Sequence, residues 1–310
     1  MSIGVDRVER ERGVSMSLFI QSLINGLNQG AIYALIALGY TMVYGIIRMI
    51  NFAHGDFIMV GAYTLFYTVP IMINYGMPPW LAVTFAVVVC VSVGLLVERI
   101  AYRPVRGAGS MSALITALAM SLFLENLAMV LFGANPKSVT AIFKLPSMEF
   151  MGAKLQYKYL LTITIGLVMM ISLQLFVKKT KLGKAMRAVP QDKQASTLMG
   201  INVNKIITTT FAIGSGLAAV AALMYCSTYP RCTTDMGSMM GLKAFIAAVL
   251  GGIGSIPGAM LGGVIVGLIE IFVKVYVAPG WYEAITYSIL IIVLLIKPSG
   301  ILGRNVGEKV

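Results

Sequence analysis

GLNQGAIYALIALGYTMVYGIIRMINFAHGDFIMVGAY, residues 26–63, decides the class of this protein. An apolar run of helical length ends in a polar, glycine-containing break, RMINFAHGDF at 48–57, and a second apolar run begins at once. A helix crossing hydrocarbon takes about 20 apolar residues. Outward from this stretch the pattern repeats, with candidate spans at 18–47, 57–73, 80–97, 111–132, 159–177, 206–226, 257–276 and 281–297. The first is too long for one straight crossing, and GLNQG (26–30) is expected to divide it into a short amphipathic lead and a span from about residue 30. The stretch 242–256 is apolar but short and rich in glycine, so a half-helix or broken span is expected there. The fold class that follows is all-α: a polytopic transmembrane helical bundle of about eight spans with broken or half helices.

Composition agrees. The 310 residues are 58% hydrophobic and 12% charged, about half the charge of a soluble domain. A water-soluble globule, a disordered chain and a disulfide scaffold are excluded. Lys and Arg number 24 against 12 Asp and Glu, but the basic residues lie between apolar runs rather than on one folded face. That pattern reads as membrane topology and contact with acidic lipid headgroups, not nucleic acid binding. Loop 98–110 carries Arg99, Arg103 and Arg106, loop 178–205 carries Lys178, Lys179, Lys181, Lys184, Arg187, Lys193 and Lys205, and the end of the chain carries Lys297, Arg304 and Lys309. Alternating spans place these three segments on the cytoplasmic side, with 133–158 and the N-terminus outside. Residues 1–15 read as a charged extension, 16–303 as the membrane domain and 304–310 as a tail; Met16 is an alternative start. Cys226 and Cys232 flank a short loop where they are free to pair in an oxidising compartment, and one histidine makes a His-based metal site implausible.

Loop 178–205, KKTKLGKAMRAVPQDKQASTLMGINVNK, is far longer than a helix connection needs. It has helical propensity, an apolar stripe of Met186, Val189, Ala195, Leu198 and Met199, a stop at Gly200, and Pro190 to divide it into two short helices. An apolar knob on a folded loop suits a groove on a soluble partner; a solvated basic loop that only fixes topology is the alternative. Within it, QASTLMG has the spacing of the "EAA" coupling motif of ABC importer permeases, with Gln194, Ala195, Ser196 and Gly200 on the motif positions and Arg187 and Met199 beside them. Gln stands for the motif's Glu, and Ser for its second Ala.

Together with residues 26–63, RPVRG (103–107), GKAMRAVPQDKQASTLMGINV (183–203) and KAFIAAVLGGIGSIPGAMLGG (243–263), this motif resembles the permease subunits of high-affinity branched-chain amino acid ABC transporters, the H-type member of a heterodimeric pair. The resemblance implies the ABC importer permease fold, alternating access in a bacterial inner membrane, a second homologous permease subunit, two ABC ATPase subunits and an external solute-binding protein. ATP and Mg would sit on the ATPases, with no cofactor on this chain; related permeases move urea or short amides. No GxxxxGK[ST] occurs in the sequence, so hydrolysis belongs to another subunit.

Paired Gly/Pro interruptions in two halves of a transporter point to a translocation path. Candidate path residues are Asn51, His54, Glu125, Asn126, Gly252, Gly254 and Ser255, with Asp56, Pro257 and Gly258 as structural helix breaks. The NFAHGD group either lines the pore or forms a capped turn in which Asp56 caps the next helix. Glu125 must face the bundle or a wet cavity, as a path-lining group or as a hydrogen bond locking helices together. Glu270 and Lys274, four apart, are expected to be a local ion pair. Gly26–Gly30, Gly258–Gly262 and Gly263–Gly267 have GxxxG spacing for close helix packing, within the chain or across a dimer interface. An ion-driven secondary transporter would need paired carboxylates at membrane depth, and a membrane enzyme a convergent catalytic set; neither is visible.

Overall fold

The computed structural model describes residues 2–47, 49–143, 145–150, 153–297 and 299–303. The expected tail 304–310, with Arg304 and Lys309, lies outside the described residues. The chain folds into helices α1 (Ser2–Ile47), α2 (His54–Asn74), α3 (Leu81–Val97), α4 (Arg103–Val105), α5 (Ser110–Phe132), α6 (Tyr157–Lys179), α7 (Lys181–Ala188), α8 (Lys193–Leu198), α9 (Val203–Thr228), α10 (Met236–Gly251), α11 (Ile256–Tyr276) and α12 (Tyr282–Ile296). A π-helical turn, Glu98–Tyr102, joins α3 to α4. Among the described residues, seven helices are long and apolar enough to cross a membrane, and α10 and α12 are shorter apolar helices. Of the eight expected spans, the last is therefore the short helix α12. The polytopic helical bundle is the fold of this chain.

Two small antiparallel pairs interrupt the all-α pattern at one end of the bundle: β1 (Lys137–Ser138) with β4 (Arg231–Cys232), and β2 (Ser147–Phe150) with β3 (Ala153–Gln156). The Lys154 amide donates to Gln21 Oε1 at 2.7 Å, so the entry of α1 lies at this end too. The opposite end gathers the exit of α1, loop 103–109, α7, α8, the turn 252–255 and the segment 299–303. Arg106 bonds Asn204 there at 2.7 Å, and Gly252 packs on the Gly303 backbone. The described basic residues of these segments thus share one end, as alternation of the spans requires.

Helix α1 is the axis. Ile32, Leu35, Ile36, Ala37 and Leu38 are fully buried. The expected division at GLNQG does not occur: α1 is continuous through it. Gly26 and Gly30 serve close approach instead. A Cβ on Gly26 would meet the Leu268 backbone at 3.1 Å, and one on Gly30 the Val264 backbone at 2.7 Å. Gly263 lies on Ala34 and Gly267 on Gly30 in the same seam. Backbone–backbone contact of this kind is the GxxxG packing mode, used here within the chain. The polar residues of the stretch find partners that leave the helix intact: Gln21 bonds Asn25 at 3.1 Å, Asn28 bonds Thr228 at 3.4 Å and Gln29 accepts from Tyr229 at 3.1 Å.

The GGIGSIPG interruption is the tip of a helical hairpin between α10 and α11. Gly252 (φ 104°) and Gly254 (φ 90°) turn the chain, and Ser255 Oγ accepts from Gly258 N at 3.2 Å to cap α11. Pro257 stands in the first turn, where its missing N–H costs nothing, and Gly258 lets the Gly251 carbonyl approach. The end of α10 would leave carbonyls without partners in a low-dielectric setting. Gly252 N bonds Ala248 O and Val249 O, while Ile301 N bonds Leu250 O at 2.8 Å and Leu302 N bonds Gly251 O at 2.9 Å. The segment 299–303 thus completes the helix end.

Candidate functional site

Two helices begin inside the bundle. A Cβ on Gly39 would overlap the His54 ring, so α2 starts opposite a residue eight positions before the end of α1 at Ile47, about 12 Å at 1.5 Å per residue. Gly55 packs on Gly237 and Gly241, placing the start of α10 at the same depth. The half-helix expected near 242–256 is α10, and its positive end meets that of α2 at mid-bundle. Converging N-termini of discontinuous helices are the feature on which membrane transporters build solute sites.

Around this junction the polar residues are buried. Asn51, His54 and Asp56 have at most 1% exposure. Asn51 Oδ1 accepts from Tyr102 Oη at 2.6 Å. The π-turn brings this about: it turns both Glu98 and Tyr102 inward, four residues apart, and leaves Arg99 outside. The His54 ring packs edge-on to Tyr40 and Phe57. It faces the Ile36 carbonyl, but no hydrogen bond of ordinary geometry reaches either nitrogen. Neither oxygen of Asp56 has such a bond; the Ser121 hydroxyl on α5 faces it, with Glu125 one turn further. Asp56 does not cap α2 through its side chain, since the helix begins without a side-chain cap at Ala53. Asn51 and His54 sit together with Asp56 here, and Glu125 flanks them, half-exposed. Asn126 points away and bonds the Leu122 carbonyl of its own helix at 2.7 Å. Gly252, Gly254 and Ser255 are elsewhere, at the hairpin tip on the basic end, where Gly254 packs near Gly45.

The connecting elbow is well formed. Thr180 Oγ1 accepts from Gly183 N at 2.9 Å, Asp192 Oδ1 from Ala195 N at 2.9 Å and Asn202 Oδ1 from Lys205 N at 3.0 Å. Pro190 lies in the turn between α7 and α8, and Gly200 (φ 80°) ends α8. The apolar stripe splits. Met186 and Val189 are buried against the bundle, while Ala195, Leu198 and Met199 face outward, Leu198 at 88% and Met199 at 82% exposure. Ser196 is buried and bonds the Asp192 carbonyl, Gln194 is exposed, and Arg187 reaches back to the Lys178 carbonyl at 3.3 Å. A cleft of about 410 Å³ separates elbow from bundle, lined in part by Ile46, Ile47, Arg106, Pro190, Asp192 and Gln194.

Two ion-pair nodes go beyond what sequence spacing shows. Arg106 is no solvated topology marker: it pairs with Glu98, which also accepts from Thr208 at 3.1 Å, and ties the end of α3 to α9. Burial lowers the pKa of its guanidinium from the ordinary value, and it stays charged. The expected Glu270–Lys274 pair exists, and it is part of a larger node. Lys243 reaches Glu270 at 3.2 Å, Tyr33 donates to Glu270 at 2.6 Å, and Tyr282 lies under both lysines. Cys226 and Cys232 are buried free thiols.

Comparison with known proteins completes the picture. Residues 22–295 match the family described as branched-chain amino acid transport system / permease component. The chain belongs to that family. This permease is similar to the high-affinity branched-chain amino acid transport system permease protein BraD of Pseudomonas aeruginosa, at 42% identity over 94% of this chain and 98% of the relative. It is similar to LivH of Escherichia coli, of the same description, at 40% identity over the same shares. The ribose import permease RbsC of Haemophilus influenzae is 25% identical over 89% of this chain and 84% of its own. Among solved structures, PsaBC from Streptococcus pneumoniae in complex with Fab aligns over 92% of each chain at 16% identity and a TM-score of 0.40. The permease is a multi-pass membrane protein of a transport system.

Proposed function

We propose that this permease carries branched-chain amino acids, leucine, isoleucine and valine, inward across the bacterial inner membrane by alternating access. The observation that carries the reading is 40–42% identity over 94% of the chain to two permeases so described. The energy comes from ATP hydrolysis on two ABC ATPase subunits that hold the ATP and Mg; this chain binds no cofactor. A second, homologous permease completes the membrane unit, and an external solute-binding protein delivers the cargo. The elbow supports the coupling role: its buried half fixes it to the bundle, and its outward half presents Leu198 and Met199 to a partner groove. Gln194, Ala195, Ser196, Met199 and Gly200 with Arg187 are the coupling set.

Urea or a short amide is the other cargo in view, as the family resemblance implies. The test is co-purification of the chain with its candidate ATPases, then solute-stimulated hydrolysis and uptake in proteoliposomes. Leucine uptake that requires ATP and the whole assembly is expected. Uptake of urea without leucine, or transport by this chain alone, overturns the reading.

A further inference from the structure

Three carboxylates are buried among the described residues: Asp56, Glu98 and Glu270. Glu98 has Arg106, and Glu270 has Lys243 and Lys274. Asp56 has no cation and no closed hydrogen bond. A carboxylate left so at membrane depth costs several kcal/mol, so something in the fold must hold it. The helix ends do. Asp56 lies in the first turn of α2, and a Cβ on Gly237, in the first turn of α10, would stand 2.7 Å from Asp56 Oδ1. The positive ends of two helix dipoles converge on this carboxyl group, whose oxygens have no hydrogen bond of ordinary geometry.

Asp56 is fully buried, and its side chain faces α5. Ser121 faces it, and Glu125 is on the same face of α5 one turn away, half-exposed. Further along both helices Tyr63 stacks on Phe132, with centroids 4.5 Å apart, and closes the groove between α2 and α5. Lys137 and Arg231 lie beyond the Tyr63 end on β1 and β4, while the charged groups on the inner part of this groove are acidic, with Asp235 exposed at the head of α10 as a third. The three are not placed to surround a metal ion. What fits is a compact monovalent cation with several N–H donors.

We propose that Asp56, with Ser121 and Glu125, forms a site between α2 and α5 that receives the primary ammonium group of the transported solute. Ser121 and Asp56 accept its N–H bonds, Glu125 draws the cation in, and the Tyr63–Phe132 stack lies over the entry. α2 and α10 meet at this depth through glycines, Gly55 on Gly237 and Gly241, so the helices can slide apart to admit the solute without unlocking side chains. The site favours amino acids over urea or amides, which carry no cation. This inference rests on the amino acid permease reading above.

The test uses the complete transporter in proteoliposomes. If the wild type fails to take up leucine, the permease reading itself fails. With an active wild type, Asp56→Asn should lower kcat/KM for leucine about 10- to 100-fold, the range of a lost charge-assisted hydrogen bond, and Asp56→Glu should restore part of it. In the purified complex, leucine and 3-methylbutylamine should raise the wild-type Tm while 4-methylpentanoate does not, and Asp56→Asn should abolish both shifts. An assembled Asp56→Asn complex that transports leucine within twofold of wild type overturns the proposal. Should that variant fail to assemble, Glu125→Gln decides, because Glu125 is half-exposed and makes no packing node: a KM for leucine raised severalfold supports the site, and an unchanged KM sinks it.

Discussion

Glu270 shows how far one residue's role is legible. Its spacing to Lys274 is a property of a helix, and that contact forms as expected. Lys243 and Tyr33, 27 and 237 positions away, reach it only because α1, α10 and α11 converge. The node predicts an asymmetry. Glu270→Ala leaves buried Lys243 with only the exposed carboxylate of Glu283 at 3.9 Å and should cost about 2–4 kcal/mol. Lys274→Ala removes a side chain 33% exposed and should cost about 1 kcal/mol or less. Thermal unfolding of the solubilised permease measures both, and equal losses would show that the node does not act as one. Cys232 gives a second residue-level expectation. Burial pushes its thiol from the ordinary 9.0 up to about 11. The protonated form is thus favoured in the folded protein, and its stabilising effect is complete below pH 9 and is lost as pH rises through about 11. At pH 8 maleimide labelling of Cys232 should run about 100-fold slower in the folded than in the denatured protein; equal rates would contradict the buried thiol.

Among elements, the elbow was nearly complete in the sequence. Thr180, Asp192 and Asn202 are capping residue types, Pro190 breaks the helix and Gly200 ends it. The stripe was legible as apolar but not as two surfaces, because periodicity shows that a helix has an apolar side and not which neighbour covers it. Its outward half makes the prediction. Leu198→Glu should leave fold and membrane level unchanged, since the side chain is 88% exposed, while reducing ATPase co-purification about tenfold or more, the loss of a central apolar anchor. Gly200→Asp places a side chain at φ 80°, in open space, and should uncouple uptake from hydrolysis while the protein remains in the membrane. Wild-type uptake by both variants would remove the elbow from the coupling path. The stretch GLNQG misled for a related reason. Gly26 and Gly30 weaken a helix in isolation, but against Val264 and Gly267 they let two backbones touch, and that packing outweighs propensity.

For the whole molecule, the hairpin tip and the chain's last described segment are one unit. Residues 299–303 supply the donors that α10 lacks, and Gly300 adopts φ 76° with Gly252 beside it. Gly300→Val should lower stability by about 1–3 kcal/mol, read by thermal unfolding; an unchanged Tm would show that α10 ends satisfactorily without this segment. The same geometry joins the interruption near residue 252 to the basic end, away from the junction at Asp56.

By itself the sequence determined the membrane class, the helices and their alternation, the basic end, the folded elbow and the family. All of these depend on local composition and spacing, which act through burial in hydrocarbon and helix periodicity. Only the tertiary structure decided that α2 and α10 begin face to face in mid-bundle, that Asp56 is the buried carboxylate without a cation, and that Glu98 and Glu270 are answered by Arg106 and Lys243. Those facts depend on which distant side chains share one low-dielectric interior, where a charge must meet its partner or a helix end.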